Sequence, residues 1–125
     1  MITVSAQLKK IPAATRPTVT AAIKAVRDAA PDANEIPYEM EAPRSARMMW
    51  KIARYAVDGE NVVGVGTFPL HSTIFFYRGR ELDDVEGLLE GTGKDTRFVT
   101  VRSPQDVASP AVRDLIDKAF KLARA

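Results

Sequence analysis

Four groups of residues in this chain have types and spacings that could do chemistry. The first is Gly91-Thr92-Gly93-Lys94, which ends in the Gly-x-Gly-Lys of a phosphate cradle. A phosphate-binding P-loop needs a glycine where Leu88 stands and a Ser or Thr where Asp95 stands, so the motif fails at both ends. What survives is Lys94 and Arg97 after a glycine-rich turn. They could offer cations and backbone N–H groups to an anion, or be two solvated charges beyond a helix stop.

The second group is acidic. Glu81, Asp83, Asp84, Glu86 and Glu90 are carboxylates of the kind that bind hard cations. The same residues suit a helix start. Asp83 would be the N-cap, Glu86 the fourth member of an Asp-x-x-Glu capping box, and the acids would sit where the helix dipole favours them. The third is His71, the only histidine, whose nearest carboxylates in sequence are Glu60 and Glu81. It has no metal motif around it, and no serine sits in a Gly-x-Ser-x-Gly setting. The chain has no cysteine, which excludes disulfides, thiolate zinc sites and cysteine nucleophiles. No residue takes a catalytic role, and a binding domain is expected ahead of an enzyme.

The fourth group lies in what reads as the middle of a sheet. In 72–78, Thr73, Phe75 and Tyr77 share one face while Ile74 and Phe76 share the other, so both faces should be covered. In 61–67, Gly64 and Gly66 fall together on one face and leave room for something to approach the backbone. Tyr38, Trp50 and Tyr55 could wall that space. Two readings stand side by side: a groove for a ligand or partner, or close packing of another element against the glycines.

The elements that must position these groups follow from periodicity. Val19, Ala22, Ile23, Val26 and Ala30 recur at helical spacing between Pro17 and Pro31, which predicts a helix over 17–30. Val112, Leu115, Ile116, Ala119 and Phe120 do the same after Ser109-Pro110, a natural N-cap and first helical residue. Between them lie strands at 35–40, 61–68, 72–78 and 97–102, with a short helix at 84–90 stopped by Gly91. The stretch 47–57 fits a strand or a helix. Asp58-Gly59, a type I′ hairpin signal between Val57 and Val62, tips it toward strand. The expected fold is α+β: one antiparallel sheet of about four or five strands, covered by N- and C-terminal helices.

Length and composition fit one domain over 1–125, with its core in about 15–123. Hydrophobic residues make up 46% and charged residues 27%, enough for a core and too apolar for disorder. No apolar run approaches the ~20 residues of a membrane span, and Lys9-Lys10 follow rather than precede the first apolar residues. A cytoplasmic location and no membrane partner are the expectations. The net charge of +2 gives little reason to expect a nucleic-acid partner. A small-molecule or anion ligand, or self-association into a homo-oligomer, fits better, with no cofactor.

The run FFYRGRELDDVEGLLEGTGKDTRFVTVRS at 75–103 resembles the signature block of the YdhG-like family. So does the earlier layout, a helix ending in Ala-Ala-Pro-Asp-Ala and then Ile-Pro-Tyr-Glu-Met at 36–40. The likeness spans about residues 15–123. Members more often have a proline after Tyr-x-Met, where this chain has Glu41, with Pro43 following. The resemblance implies a compact α+β domain, and most members carry no assigned activity. One branch is named a frataxin-like iron chaperone. It would imply iron as cargo on Glu81, Asp83, Asp84, Glu86 and Glu90.

Overall fold

The computed structural model describes residues 2–125. Five strands form one antiparallel sheet in the order β1-β2-β3-β4-β5: Asn34–Pro37, Trp50–Val57, Glu60–Thr67, Ser72–Phe76 and Arg97–Val101. Four helices accompany them: α1 Val4–Lys10, α2 Arg16–Ala29, α3 Pro104–Ala108 and α4 Pro110–Arg124. The α+β class, the antiparallel sheet and the covering terminal helices are as the sequence predicts.

Register divides the sheet into two unlike faces. Val63 pairs with Phe76, Val65 with Ile74, and Ile74 with Val99. These side chains are buried with Val19, Ile23 and Val26 of α2 and Leu115, Ile116 and Phe120 of α4 in one core cluster. On the opposite face Gly64 pairs with Phe75, Gly66 with Thr73, and Phe75 with Phe98. All five residues of β4 are buried, so both its faces are indeed covered.

Asp58 and Gly59 have φ of 51° and 80°, the two positive values that a type I′ turn demands, and they join β2 to β3. That settles 47–57 as loop followed by strand. β2 carries register shifts between Lys51 and Ala53 and between Tyr55 and Ala56. The first inserts Ile52 as an extra residue, so that Ile52 and Ala53 are both buried.

One element is corrected. Residues 84–90 form no helix; after the short 3-10 helix Gly79–Glu81 the chain runs irregularly to a bridge between Glu90 and Phe98. Asp83 caps nothing, and Glu86 completes no capping box. The organising carboxylate is Asp84, whose two oxygens accept from the N–H groups of Leu88 and Leu89 at 2.8 and 2.9 Å. An acid that bonds the backbone four and five residues on closes a turn by itself and competes with the helix. Leu82, Leu88 and Leu89 are thereby packed against the core. Gly91 does have a positive φ of 113°, but it follows the bridge and stops no helix. Asp84→Ala should cost about 1 kcal/mol, the usual worth of such caps. Hydrogen exchange should then show lost protection at Leu88 and Leu89; unchanged protection would refute this account of the segment.

Two helices escape the periodicity argument because they are short. α1 is capped by Thr3, whose Oγ1 accepts from the Ala6 N–H, and α3 by Ser103, which accepts from Asp106. α1 has the larger role of the two, because its Gln7 fixes the loop after β1.

Candidate functional site

Two regions stand out, one at an end of the sheet and one on its helix-free face. The first begins with Gln7 of α1, which is 1% exposed. Its Nε2 donates to the carbonyls of Tyr38 and Met40 at 3.1 and 2.9 Å. The Trp50 indole N–H donates to the same Met40 carbonyl at 3.2 Å. These bonds pin the chain as it leaves β1, so that 42–48 forms a wall facing the β3–β4 turn. The turn is itself closed, with Phe68 N–H on His71 O at 2.8 Å and Thr67 Oγ1 bonded to Ser72 Oγ at 3.0 Å.

Between wall and turn lies a cleft of about 150 Å³, lined among others by Pro12, Pro43, Met48, Trp50, Phe68 and Pro69. Its lining is mostly apolar. The Thr67 hydroxyl at its edge is engaged by Ser72 and the His71 carbonyl. His71 stacks on Phe68 with ring centroids 4.7 Å apart. Its pKa is lowered, first by burial and then by the nearby charge of Arg102. No carboxylate bonds it among the described residues, and no acid–base pair forms there.

The second region is the helix-free face. The space that Cβ atoms would take at Gly64 and Gly66 is filled from within the chain. An added Cβ at Gly64 would stand 2.1 Å from the Phe75 ring, and one at Gly66 would stand 2.6 Å from Met49 Sδ. The glycines thus let Phe75 and Met49 lie flat on the sheet, an arrangement of close packing within one chain. Tyr77 meets the Phe75 ring edge-on at 5.6 Å. Its hydroxyl shares a hydrogen bond with that of Tyr38. Tyr38 directly follows β1 and Tyr77 directly follows β4, strands that are separated by β2 and β3, so both rings must reach across the face to meet. Burial, and then the Tyr38 hydroxyl, push the Tyr77 pKa up. Arg54 and Lys51 lie over the Tyr38 ring at 5.0 and 5.6 Å from its centroid.

The seven residues expected to bind therefore separate. Trp50 lines the cleft, with His71 behind Phe68; Tyr38, Gly64 and Gly66 belong to the helix-free face. Lys94 and Arg97 are not brought to either. Arg97 Nη1 donates to the carbonyls of Gly93 and Thr96, tying its own turn, and Lys94 is exposed. Of the five carboxylates, Asp83, Asp84 and Glu86 line one small depression beside Asp114, while Glu81 and Glu90 lie apart from it. Glu81 binds Arg78, Asp83 lies near Lys118, Asp84 holds its loop, and Glu90 accepts from Thr100 Oγ1. Glu86 is exposed. Among the described residues no three His, Asp or Glu side chains gather as a metal site.

Sequence reasoning missed Lys51, Arg54 and Met48. Lys51 and Arg54 are three apart, which puts them on opposite faces of a regular strand. The inserted Ile52 brings them to the same face, opposite Gly66 and Gly64 respectively. No helix of the described residues is long and apolar enough to cross a membrane. No family model, curated protein or solved structure matches this chain.

Proposed function

We propose that this chain is a non-catalytic binding domain of the YdhG-like type that its 75–103 block resembles. Its cleft at the end of the sheet takes one small apolar group. The cleft itself carries the reading: about 150 Å³ walled by Trp50, Phe68, Met48 and prolines, with its edge hydroxyl already bonded. An apolar space of this size can accept a single aromatic ring, whereas drug-sized ligands need at least about 300 Å³. The absence of an acid–base pair beside it favours binding over catalysis.

Trp50 is the only tryptophan, so its emission reports on the cleft directly. Titration with toluene or phenol should give a saturable change. Ala42→Phe, which fills the cleft from its exposed loop wall, should abolish the change while leaving the unfolding midpoint within about 2 °C, as for other surface substitutions. A linear, non-saturating response, or one that survives Ala42→Phe, would reject the cleft as the site.

A further inference from the structure

We propose that the helix-free face of the sheet binds a nucleoside phosphate unit, either within a single-stranded nucleic acid or as a free nucleotide. Lys51 and Arg54 would take the phosphate, and the partly exposed rings of Tyr38, Tyr77 and Phe98 would take the base.

The first observation is a pair of cations gathered over one aromatic ring, Tyr38, with no carboxylate on either. Lys24, Arg27, Arg78, Arg80, Lys118 and Arg124 each form an ion pair with a carboxylate. Among the described residues neither the ammonium of Lys51 nor the guanidinium of Arg54 has a carboxylate or any hydrogen-bond acceptor. Arg54 is on a central strand and only half exposed, where a charge ordinarily finds a counter-charge. The residues across from Arg54 are Gly64 on β3 and Ile36 on β1, and Gly66 lies across from Lys51; none is acidic, and the space over the glycines is held by the Phe75 ring and the Met49 thioether. Glu60 is engaged by Arg78 and Glu90 by Thr100, while the exposed Glu39 and Glu41, on either side of the Met40 whose sulfur meets the Lys51 N–H, form no ion pair among the described residues. Lys51 and Arg54 thus place two positive charges side by side on this face, although the whole chain sums to only +2.

The second observation is what lies beside the cations. Tyr38 is held across the face by its hydroxyl bond to Tyr77 and carries both cations over its ring. Phe75 and Phe98 are paired across β4 and β5 on the same face. Aromatic rings that lie against an antiparallel sheet, next to Lys and Arg, are the general means by which proteins stack unpaired bases and neutralise the adjoining phosphates. A plain anion would use the cations alone. In a duplex the base faces are already stacked, which leaves a single strand or a free nucleotide as the fitting ligand.

The test is fluorescence anisotropy with a labelled single-stranded oligo-uridine of about ten nucleotides, the scale of one such surface. A duplex of equal length and uridine monophosphate serve as competitors. The single strand should bind, with affinity falling as salt rises. Arg54→Gln and Lys51→Gln should each weaken it about tenfold and lower the salt slope by about one. Lys24→Gln, on α2 in the opposite layer, should change affinity by less than about twofold, since it removes the same charge from elsewhere. Competition by the mononucleotide at similar concentration, equally sensitive to Arg54→Gln, assigns the face to a free nucleotide; competition by the oligonucleotide alone assigns it to a strand. The proposal fails if nothing binds, if the duplex competes as well as the single strand, or if Lys24→Gln costs as much as Arg54→Gln.

Discussion

Replacing Gly79 with alanine is expected to destabilise the protein by about 3 kcal/mol, at the upper end for an added methyl group in a packed site. The glycine is buried, and an added Cβ would stand 2.5 Å from Arg97 Cβ, 2.7 Å from its backbone N and 3.0 Å from its Cα. Backbone cannot swing aside as a side-chain tip can. The 3-10 helix and the start of β5 would have to part, and the contacts that dock them would go with it. These are the Arg80 N–H on the Asp95 carbonyl at 2.9 Å and the Arg80–Asp95 ion pair at 3.3 Å. For a domain of this size the thermal midpoint should drop by about 10 °C. Gly64→Ala is the informative control. The three atoms nearest its added methyl all belong to the Phe75 ring, on the helix-free face, and that side chain can swing about χ1 where backbone cannot, so its cost should be lower, about 2 kcal/mol. Circular dichroism melts of the two variants decide. If Gly64→Ala proves as costly as Gly79→Ala, the distinction between backbone and side-chain contact is wrong.

The second large effect concerns the attachment of β1 to the helical layer. Tyr55, 1% exposed, donates its hydroxyl to Glu35 Oε2 at 2.8 Å, and Arg27 of α2 grips both Glu35 oxygens at 2.6 and 2.7 Å. Glu35→Ala leaves a buried hydroxyl unpaired and should cost about 2 kcal/mol. Half of the Arg27 side chain is exposed, so the ion pair adds little beyond that. The Arg27 hydrogen bonds, with help from Tyr55, hold the Glu35 pKa below its ordinary 4.5. A depressed carboxylate pKa means the folded state binds this proton more weakly than the unfolded chain does. The stabilisation is therefore complete above pH 4.5 and disappears as pH falls through the lower folded value. Urea unfolding of the wild type and Glu35→Gln should show the wild type ahead at neutral pH and the gap closing in acid. A gap independent of pH would mean that the carboxylate's charge contributes nothing.

Much of the fold is legible in the sequence because its signals are local and redundant. Pro17 and Pro31 bracket one apolar stripe, Ser109-Pro110 opens another, and Asp58-Gly59 can do little other than turn a hairpin. The ambiguity over 47–57 has a physical cause. Two register shifts in β2 bury Trp50, Ile52, Ala53, Tyr55 and Ala56, a spacing that mimics a helix because the alternation is broken twice. Nothing in the residues announces such an insertion, which is also why the pairing of Lys51 with Arg54 on one face was out of reach. The 84–90 segment fails differently. An Asp-x-x-Glu box and a following glycine are consistent with a helix, but Asp84 reaches Leu88 and Leu89 instead, and three leucines gain contact with the core. The site was half legible. Of the three aromatics expected to wall the glycine space, only Tyr38 lies on that face; Trp50 lines the end cleft and Tyr55 is buried on the core side. The reason is that the glycines are filled by Phe75 and Met49, partners that lie on the neighbouring strand and in the preceding loop.

The bridge between Glu90 and Phe98 has a consequence for crowding. A sheet ends in two strands whose outer backbone can recruit another chain, and proteins suppress this by shortening, covering or interrupting them. Here one margin is β1, four residues long and ending in Pro37, which has no N–H to give. The other is β5, where the Glu90 N–H and carbonyl already pair with Phe98 at 2.8 and 3.0 Å. Both margins are thus blunted against ribbon-like growth, and any meeting of two copies is steered away from the strand edges.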